Sequence, residues 1–247
     1  MNIDFTDKTV IITGGTRGIG AAMVSAFSGA GANVIITGTK EPSAVNLDLI
    51  KNNRNIQYQQ LDFSSDESVK KFIHTVNELN KIDVLINNAG VNKIDAISEI
   101  SVDDWDWINT INLRGPFLLT QSVTDTMKKQ NSGKIINIAS IFGIVSKEKR
   151  AAYSSAKWGL IGFTKAVALE MASFNVQVNA VSPGFVDTEL TRRILGPENM
   201  KRLVKTIPQG RLASPNEIAN VVLFLCSDLN TYITGENIVV DGGFTSA

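Results

Sequence analysis

Two polar side chains four positions apart are the first candidates for chemistry in this sequence. Tyr153 and Lys157 lie in the stretch Ala151–Ser173, which predicts a helix, so both project from one helical face. A free tyrosine titrates at about pH 10, too high for an efficient acid–base group at neutral pH. A neighbouring ammonium favours the phenolate. We therefore expect Lys157 to lower the pKa of Tyr153 and make the pair competent for proton transfer.

A glycine-rich turn follows the first predicted strand, Thr9–Thr13. Gly14, Gly18 and Gly20 permit a tight turn and the close approach of a pyrophosphate to the backbone. The helix that begins there offers unpaired N–H groups to an anion. Such a turn is weak evidence alone, because many strand–helix junctions contain glycine. Its place at the start of an alternating α/β chain favours dinucleotide binding.

The second predicted strand, Asn33–Thr37, indicates which dinucleotide binds. Sites for NAD often place an acid at the end of this strand, where it accepts hydrogen bonds from the ribose. Here a Gly-Thr-Lys tripeptide follows, and no carboxylate comes before Glu41. Arg17 and Lys40 are placed to reach a 2′-phosphate; the alternative is that both are solvated surface cations. The pattern favours NADP(H) over NAD(H).

Short apolar, β-branched runs alternate with longer amphipathic runs along the chain. The predicted strands are Thr9–Thr13, Asn33–Thr37, Ile56–Leu61, Val84–Asn87, Lys134–Ala139, Val176–Val181 and Asn237–Val240. The predicted helices are Gly18–Ala30, Ser65–Leu79, Val102–Lys129, Ala151–Ser173, Glu189–Thr206 and Pro215–Ser227. Nearly all-apolar strands, each followed by a helix, predict a parallel sheet covered on both faces. We expect one α/β domain over residues 1–247, a Rossmann-type doubly wound parallel sheet with helices on both faces.

The composition narrows the function classes. The 24 basic and 24 acidic residues balance, so no broad attraction to nucleic acid or to a membrane surface is expected. No apolar run approaches the roughly 20 residues of a membrane helix. The N-terminus has no signal-peptide pattern and the single cysteine, Cys226, cannot form an internal disulfide, so we expect a cytoplasmic protein. The one histidine lies far from that cysteine, and no metal motif is visible.

The motifs taken together resemble those of the short-chain dehydrogenase/reductase family, from about Lys8 to Gly243. In chain order they are Thr13-Gly-x-x-x-Gly-x-Gly20, Asn87-Asn88-Ala89-Gly90, Ser140, Tyr153-x-x-x-Lys157 and Pro183-Gly184. Within the family the sequence is most similar to bacterial 3-oxoacyl-(acyl-carrier-protein) reductases. The resemblance implies an oxidoreductase that interconverts a ketone and a secondary alcohol with a nicotinamide cofactor. It also implies a homotetramer, whose expected contact surfaces are the two long helices and the segment Ile238–Phe244.

The resemblance also implies roles for individual residues. The implied catalytic residues are Asn112, Ser140, Tyr153 and Lys157. Ser140 would hydrogen-bond the substrate oxygen, and Asn112 would hold a water that links Lys157 to solvent. The implied cofactor residues are Gly14, Thr16, Arg17, Gly18, Ile19, Gly20, Thr39, Lys40, Asp62, Phe63, Asn88, Ala89, Gly90, Tyr153, Lys157, Pro183, Gly184, Val186 and Thr188. Among them, Asp62 and Phe63 would contact adenine, although Asp62 also fits a turn-forming aspartate.

The substrate is the least specified part of the prediction. The stretch Lys147-Glu148-Lys149-Arg150 carries three cations beside the expected cleft, where similar acyl-carrier-protein reductases usually have glycine and asparagine. It predicts either a site for an anionic group, such as a sugar acid, nucleotide sugar or phosphate, or a solvated charged loop. The ends of the long helices, at residues 130–132 and 172–175, lack the cations expected for carrier-protein recognition. A sugar, sugar-acid or polyol dehydrogenase is therefore the alternative.

A non-catalytic nucleotide-binding scaffold is a remote further alternative. Such a degenerate protein is expected to lose the tyrosine or the lysine of its catalytic pair. Both Tyr153 and Lys157 are present here, together with Ser140 and Asn112. The four residues therefore favour an enzyme that acts on a small carbonyl or alcohol substrate.

Overall fold

The computed structural model describes residues 3–44 and 53–247, and seven parallel strands form one sheet. The strands are β1 (Thr9–Ile12), β2 (Asn33–Gly38), β3 (Ile56–Gln60), β4 (Val84–Asn87), β5 (Gly133–Ile138), β6 (Val176–Pro183) and β7 (Asn237–Val240). Their order is β3-β2-β1-β4-β5-β6-β7. The chain therefore starts in the middle, builds one edge, returns to the middle and builds the other. This doubly wound order has its switch point between β1 and β4, where such sheets bind ligands.

The described residues include seven α-helices. They are α1 (Gly18–Gly29), α2 (Asp66–Asn77), α3 (Val102–Asn109), α4 (Gly115–Gln130), α5 (Ala151–Met171), α6 (Glu189–Val204) and α7 (Pro215–Cys226). Helices α1 and α7 pack on one face, while α2, α4 and α5 pack on the other. The predicted α/β fold, with helices on both faces of a parallel sheet, is confirmed.

Alternation along the central strands divides the core into these two layers. Val10 and Ile12 of β1 pack with α1 and α7, whereas Ile11 between them packs with the helices of the opposite face. All three side chains are fully buried. Each burial of this kind contributes about 1.5–3 kcal/mol, so both layers stabilise the sheet that carries the site. Cys226 lies within the first layer, and burial raises the pKa of its thiol, which makes it an unreactive core residue.

The predicted single helix Val102–Lys129 is interrupted. A π-helical turn, Thr110–Arg114, separates α3 from α4. Pro116 has no N–H to donate to the backbone carbonyl of Asn112, four residues before it, so regular α-helical bonding fails there. The Asn112 side chain adds a competing hydrogen bond to the carbonyl of Ile108 at 2.8 Å. A π-turn inside a helix often marks a functional position.

The predicted helix Glu189–Thr206 also departs from a regular helix. Gly196 has a φ of 68° and a ψ of 167° and divides α6 into two helical parts. The next residue, Pro197, cannot donate a backbone hydrogen bond, so it ends the ladder of the preceding part. Only glycine adopts this conformation without strain, which explains why the kink occurs here.

Residues 3–44 and 53–247 contain neither a candidate membrane helix nor a candidate metal-binding cluster. No helix in these ranges combines the length and the apolar character needed to cross a membrane. No group of three or more histidine, cysteine, aspartate or glutamate side chains in the same ranges is placed to hold a metal ion.

Candidate active site

The predicted cofactor residues lie along one edge of the sheet, at the carboxyl ends of five strands. Those after β1 are Gly14, Thr16, Arg17, Gly18, Ile19 and Gly20; those after β2 are Thr39 and Lys40; those after β3 are Asp62 and Phe63; those after β4 are Asn88, Ala89 and Gly90; and those at the end of β6 or after it are Pro183, Gly184, Val186 and Thr188. The fold therefore brings segments that are distant in sequence to the edge where open α/β sheets bind ligands.

The glycine turn forms a cradle that a side chain would fill. Gly14 has a φ of +64°, and a Cβ at Gly20 would overlap the carbonyl oxygen of Gly14. Arg17 occupies the N-cap of α1 without a capping hydrogen bond from its side chain. The first N–H groups of the helix therefore face the turn without a side-chain acceptor. Close backbone approach and open N–H groups are what a pyrophosphate needs, so the residues present fit a dinucleotide.

Thr13 ties this cradle to the next strand across the switch point. Its buried hydroxyl accepts hydrogen bonds from the N–H groups of Asn88 and Ala89, both at 2.9 Å. The Asn88 side-chain amide donates in return to the carbonyls of Thr13 at 2.8 Å and Gly14 at 3.1 Å. Thr13 is not among the cofactor residues expected from the sequence. The available signal was a hydroxyl residue that ends a buried strand directly before the glycine turn.

Arg17 and Lys40, expected near a 2′-phosphate, are both exposed. Neither side chain forms an ion pair with a residue in the described ranges. The end of β2 lies against the glycine turn, because a Cβ at Gly38 would be 3.1 Å from Cγ2 of Thr16 and 3.0 Å from the Tyr58 hydroxyl. Two unpaired cations therefore belong to segments that meet beside the cradle.

Asp62 and Phe63, the predicted adenine contacts, both have structural partners. The Asp62 carboxylate accepts a hydrogen bond from the N–H of Ser64 at 2.8 Å, which is the turn-forming role considered as the alternative. The Phe63 ring is buried in the core, and a Cβ at Gly115 would be 2.8 Å from it. The ring does not face the cleft, so a contact between Phe63 and adenine has to use its backbone.

The segment after β6 forms the opposite side of the cleft. Pro183 is the last residue of β6, and Val186 is buried. Thr188 caps α6 by accepting a hydrogen bond from the N–H of Thr191 at 3.2 Å. Its Cγ2 is 3.4 Å from the position of a Cβ on Gly18, so this segment faces the glycine turn directly.

Ser140 and Tyr153 come together at the end of β5. Ser140 follows the strand and accepts a hydrogen bond from the N–H of Phe142 at 3.1 Å. Tyr153 lies in the first turn of α5, and its hydroxyl is near enough to Ser140 for that side chain to lower the Tyr153 pKa. The edge of the Phe142 ring contacts the Tyr153 ring, with centroids 6.4 Å apart. Two hydroxyl groups therefore converge where a carbonyl oxygen can accept from both.

Lys157 lies behind the tyrosine, one turn further along α5. It is only 3% exposed, and its ammonium donates to the carbonyl of Ile138 at 2.8 Å. The Nζ is 5.7 Å from the centroid of the Tyr153 ring and 3.7 Å from the position of a Cβ on Gly90. The side chain thus connects Tyr153 with the segment that follows β4.

The titration of this pair differs from the expectation. Burial raises the pKa of Tyr153, while its hydrogen bond with Ser140 and the charge of Arg150 act in the opposite direction. Burial also lowers the pKa of Lys157 to about 8. The expectation that Lys157 lowers the Tyr153 pKa was therefore wrong for this structure, because desolvation of the phenolate outweighs the attraction of nearby cations. The cation that opposes the shift is Arg150.

Asn112 lies in the π-helical turn and is fully buried. Its amide nitrogen donates to the carbonyls of Val91 at 2.9 Å and Ile108 at 2.8 Å, and its side-chain oxygen accepts from the N–H of Val91 at 3.2 Å. The side chain is thus committed to protein partners. The backbone carbonyl of Asn112 receives no hydrogen bond from Pro116, which has no N–H.

The charged stretch at residues 147–150 divides into two parts. Lys147, Glu148 and Lys149 are exposed. Arg150 is half-buried, with its Cζ 5.4 Å from the centroid of the Phe142 ring. Its Nη1 is buried without a hydrogen-bond partner among the described residues. The solvated-loop interpretation therefore fits three of the four side chains and not Arg150.

Comparison with known proteins agrees with this geometry. A family model described as enoyl-(acyl carrier protein) reductase matches residues 14–245. The chain is 43% identical to the 3-oxoacyl-[acyl-carrier-protein] reductase FabG of Aquifex aeolicus over 247 residues, which covers 98% of this chain and 99% of that protein. The chain belongs to the short-chain dehydrogenase/reductase family. It is accordingly an oxidoreductase that acts on a CH–OH/C=O group with a nicotinamide cofactor and a small-molecule substrate.

Other short-chain dehydrogenases/reductases among its relatives differ in cofactor and substrate. An NAD-dependent glycerol dehydrogenase from Listeria innocua is 35% identical, with 99% of this chain and 96% of that protein covered. A solved structure of a putative NAD(P)-dependent gluconate 5-dehydrogenase from Beutenbergia cavernae, with NADP bound at low occupancy, superposes with a TM-score of 0.93 at 28% identity; the match covers 100% of both chains. Family membership therefore fixes the reaction class, while preference within it depends on this chain's own residues.

Proposed function

We propose that residues 1–247 form one cofactor-binding and catalytic domain that reduces a ketone to a secondary alcohol, or the reverse, with NADP(H). The observation that carries the proposal is the convergence of Ser140, Tyr153 and Lys157 beside the glycine cradle, at the carboxyl edge of the sheet. A pair of hydroxyl groups backed by a buried cation can polarise a carbonyl oxygen and protonate it.

The residues of this site divide the work of reduction. When bound, the nicotinamide supplies a hydride to the carbonyl carbon. Ser140 donates a hydrogen bond to the carbonyl oxygen, and Tyr153 donates its proton to the same oxygen as negative charge develops there. The raised pKa of Tyr153 keeps the phenol protonated before the reaction, which suits its role as the acid.

The proton is replaced through Lys157 and Asn112. With a pKa of about 8, Lys157 can hold a proton at neutral pH and also release it. Pro116 has no N–H to donate to the backbone carbonyl of Asn112. This carbonyl is the acceptor that would position a water on the solvent side of the ammonium. The route runs from solvent through that water to Lys157 and then to Tyr153.

Preference for NADP(H) is proposed from Arg17 and Lys40, two exposed cations without ion pairs in the described part of the chain. We expect Gly38→Asp to reverse the preference. The new carboxylate would lie beside Thr16, where it repels a 2′-phosphate and accepts from a ribose hydroxyl. The ratio of kcat/KM for NADPH to kcat/KM for NADH should fall by about a hundredfold, the range expected when attraction to a charge becomes repulsion.

Gly38→Ala is the matched control. Its Cβ has the same close approach to Tyr58 and Thr16 but carries no charge, so it should lower both kcat/KM values together. Steady-state assays with both cofactors measure the ratio. An unchanged ratio in Gly38→Asp would place the 2′-phosphate elsewhere.

The substrate class is proposed from the relatives and from this chain's own departures. The 3-oxoacyl thioester is the first candidate, because FabG relatives reach 43% identity. A sugar or sugar acid is the second, and Arg150 favours it, since a half-buried guanidinium without an ion pair in the described residues suits an anionic substrate. Near the end of α4, the ammonium of Lys128 lies over the Phe174 ring, with Nζ 5.4 Å from the ring centroid. That cation therefore already has a partner within the chain.

A substrate panel tests the proposed function. NADPH oxidation is measured with acetoacetyl-CoA, acetoacetyl-carrier protein and a set of keto-sugars and their acids. A ketone reductase should give at least one substrate with kcat/KM above about 10⁴ M⁻¹s⁻¹, the lower bound of ordinary enzymes. Binding of NADPH without turnover across the panel would contradict the proposal and support a nucleotide-binding scaffold.

We also propose a homotetramer and a cytoplasmic location. The expected contact surfaces carry exposed apolar side chains, which a subunit interface would cover. They include Trp105, Trp107, Phe117, Trp158 and Leu169 on α3, α4 and α5, and Val239 on β7. The three tryptophans are each more than a third exposed, so they fit a subunit contact better than a place in the core. The location rests on the sequence alone.

A further inference from the structure

Arg150 occupies an unusual position for a surface cation. It lies at the N-cap of α5, three residues before Tyr153. The Cζ atom of its guanidinium lies over the Phe142 ring, 5.4 Å from the ring centroid. Its Nη1 is buried without a hydrogen-bond partner among the described residues. The neighbouring Lys147 and Lys149 are exposed. Among the three cations of residues 147–150, Arg150 is therefore the one whose side chain is partly buried.

A buried N–H group without an acceptor is unfavourable, and burial of a cation without an anion is more so. Burial accordingly lowers the pKa of Arg150. No carboxylate in residues 3–44 or 53–247 forms an ion pair with it. The guanidinium lies over the Phe142 ring, and a guanidinium can offer two parallel N–H groups to a carboxylate. An anion that approached the exposed part of the half-buried guanidinium would supply this partner from outside the chain.

The position of Arg150 relative to the reacting atoms defines where that anion lies. The charge of Arg150 acts on the Tyr153 hydroxyl, and the Phe142 ring contacts both side chains. Side chains three positions apart at the start of a helix are separated by roughly 5–6 Å at their Cβ atoms. A substrate whose ketone oxygen meets Tyr153 therefore reaches Arg150 with a group only a few bonds away.

Aromatic rings continue the surface beside Arg150. Phe142 packs edge-to-face against Phe185 with centroids 6.2 Å apart, and Phe185 packs against Phe244 at 5.2 Å. Phe185 follows the Pro183-Gly184 pair, so this wall borders the cofactor side of the cleft. Such a surface suits the carbon chain of a small substrate.

We propose that Arg150 binds the carboxylate of a short oxo acid and thereby selects oxo acids as the substrates of this enzyme. The inference rests on the proposed ketone reduction and narrows its substrate class. It assigns recognition to Arg150 and not to the exposed lysines of the same stretch. The uncharged thioester carbonyl of an acyl chain would leave the guanidinium without its partner.

Matched pairs of substrates test this assignment. Acetoacetate is compared with acetoacetamide, and levulinate with levulinamide, because each amide keeps the shape and removes the charge. We expect the wild-type kcat/KM to favour each acid over its amide by about tenfold or more, and Arg150→Gln to lower it about thirtyfold for the acids, mainly through KM. For the amides it should change less than about threefold. Lys147→Gln is the control and should change neither.

A second measurement separates this inference from the proposed function. Calorimetry follows levulinate and levulinamide binding to the complex with NADP⁺, in which the ketone cannot be reduced. Preference for levulinate that Arg150→Gln abolishes supports the inference even if no ketone is turned over. Equal affinities in the wild type overturn it. The inference is also overturned if Arg150→Gln lowers the affinity for acid and amide equally and shifts the pH profile of the activity. Arg150 would then act on Tyr153 and not on the substrate.

Discussion

Tyr153→Phe is expected to lower kcat by about a thousandfold, within the 10²–10⁴ range of a positioned general acid. The substitution removes one oxygen atom from a side chain whose ring packs against Phe142, and the ring contact survives. The carbonyl oxygen then keeps the hydrogen bond from Ser140 but has no proton donor. Cofactor affinity, measured by fluorescence titration with NADPH, should change little because the glycine cradle is untouched.

Tyr232→Phe is the matched control for this variant. Tyr232 is 96% exposed, so loss of its hydroxyl should leave kcat within about twofold of the wild type, as for most exposed positions. Stopped-flow measurement of a single turnover reports the reduction step directly. A Tyr153→Phe enzyme that retained near-normal single-turnover rates would show that another group protonates the alkoxide.

Lys157→Met is expected to abolish turnover and yet stabilise the cofactor-free protein by about 2 kcal/mol at pH 7. Burial lowers the Lys157 pKa from 10.5 to about 8, and a shift of this size corresponds to about 3 kcal/mol against the charged form. Methionine fills a similar volume without a charge. The carbonyl of Ile138 loses its 2.8 Å hydrogen bond, which costs about 1 kcal/mol.

The pH dependence gives this prediction its sign. Between about pH 8 and 10.5 the unfolded wild type binds more protons than the folded form, so wild-type stability rises with pH. The advantage of Lys157→Met should therefore be complete below pH 8 and shrink as the pH rises toward 10.5. Urea unfolding at a series of pH values measures it, with Lys165→Met, an exposed change on the same helix, as control. A Lys157→Met protein less stable than wild type at pH 7 would contradict the lowered pKa of Lys157.

The sheet was predictable because its strands are short, apolar and separated by amphipathic helices. Val84–Asn87 and Asn237–Val240 have the predicted limits, since buried parallel strands show nearly continuous apolar runs. The cofactor edge followed from the same pattern, because parallel strands end at one edge. The positions of Tyr153 and Lys157 on one helical face followed from their spacing alone.

Other features depend on contacts between segments distant in sequence. The π-turn at Asn112 arises because Asn112 bonds to Val91, twenty-one positions earlier, and because Pro116 withholds an N–H. The direction of the Tyr153 pKa depends on burial, which no spacing reveals. Arg150 and its lysine neighbours look alike in sequence, and only packing against Phe142 distinguishes the arginine.

The hydroxyl of Thr13 has a consequence for how one scaffold supports several chemistries. By holding Asn88 and Ala89 against the glycine turn, it joins the segments after β1 and β4 through hydrogen bonds within the chain itself. A receptor already in its bound shape loses little conformational entropy on association. The proposed substrate contacts, in contrast, belong to the segments after β5 and β6. Substitutions there, such as an arginine at position 150, can therefore change specificity without rebuilding the part that holds the nucleotide.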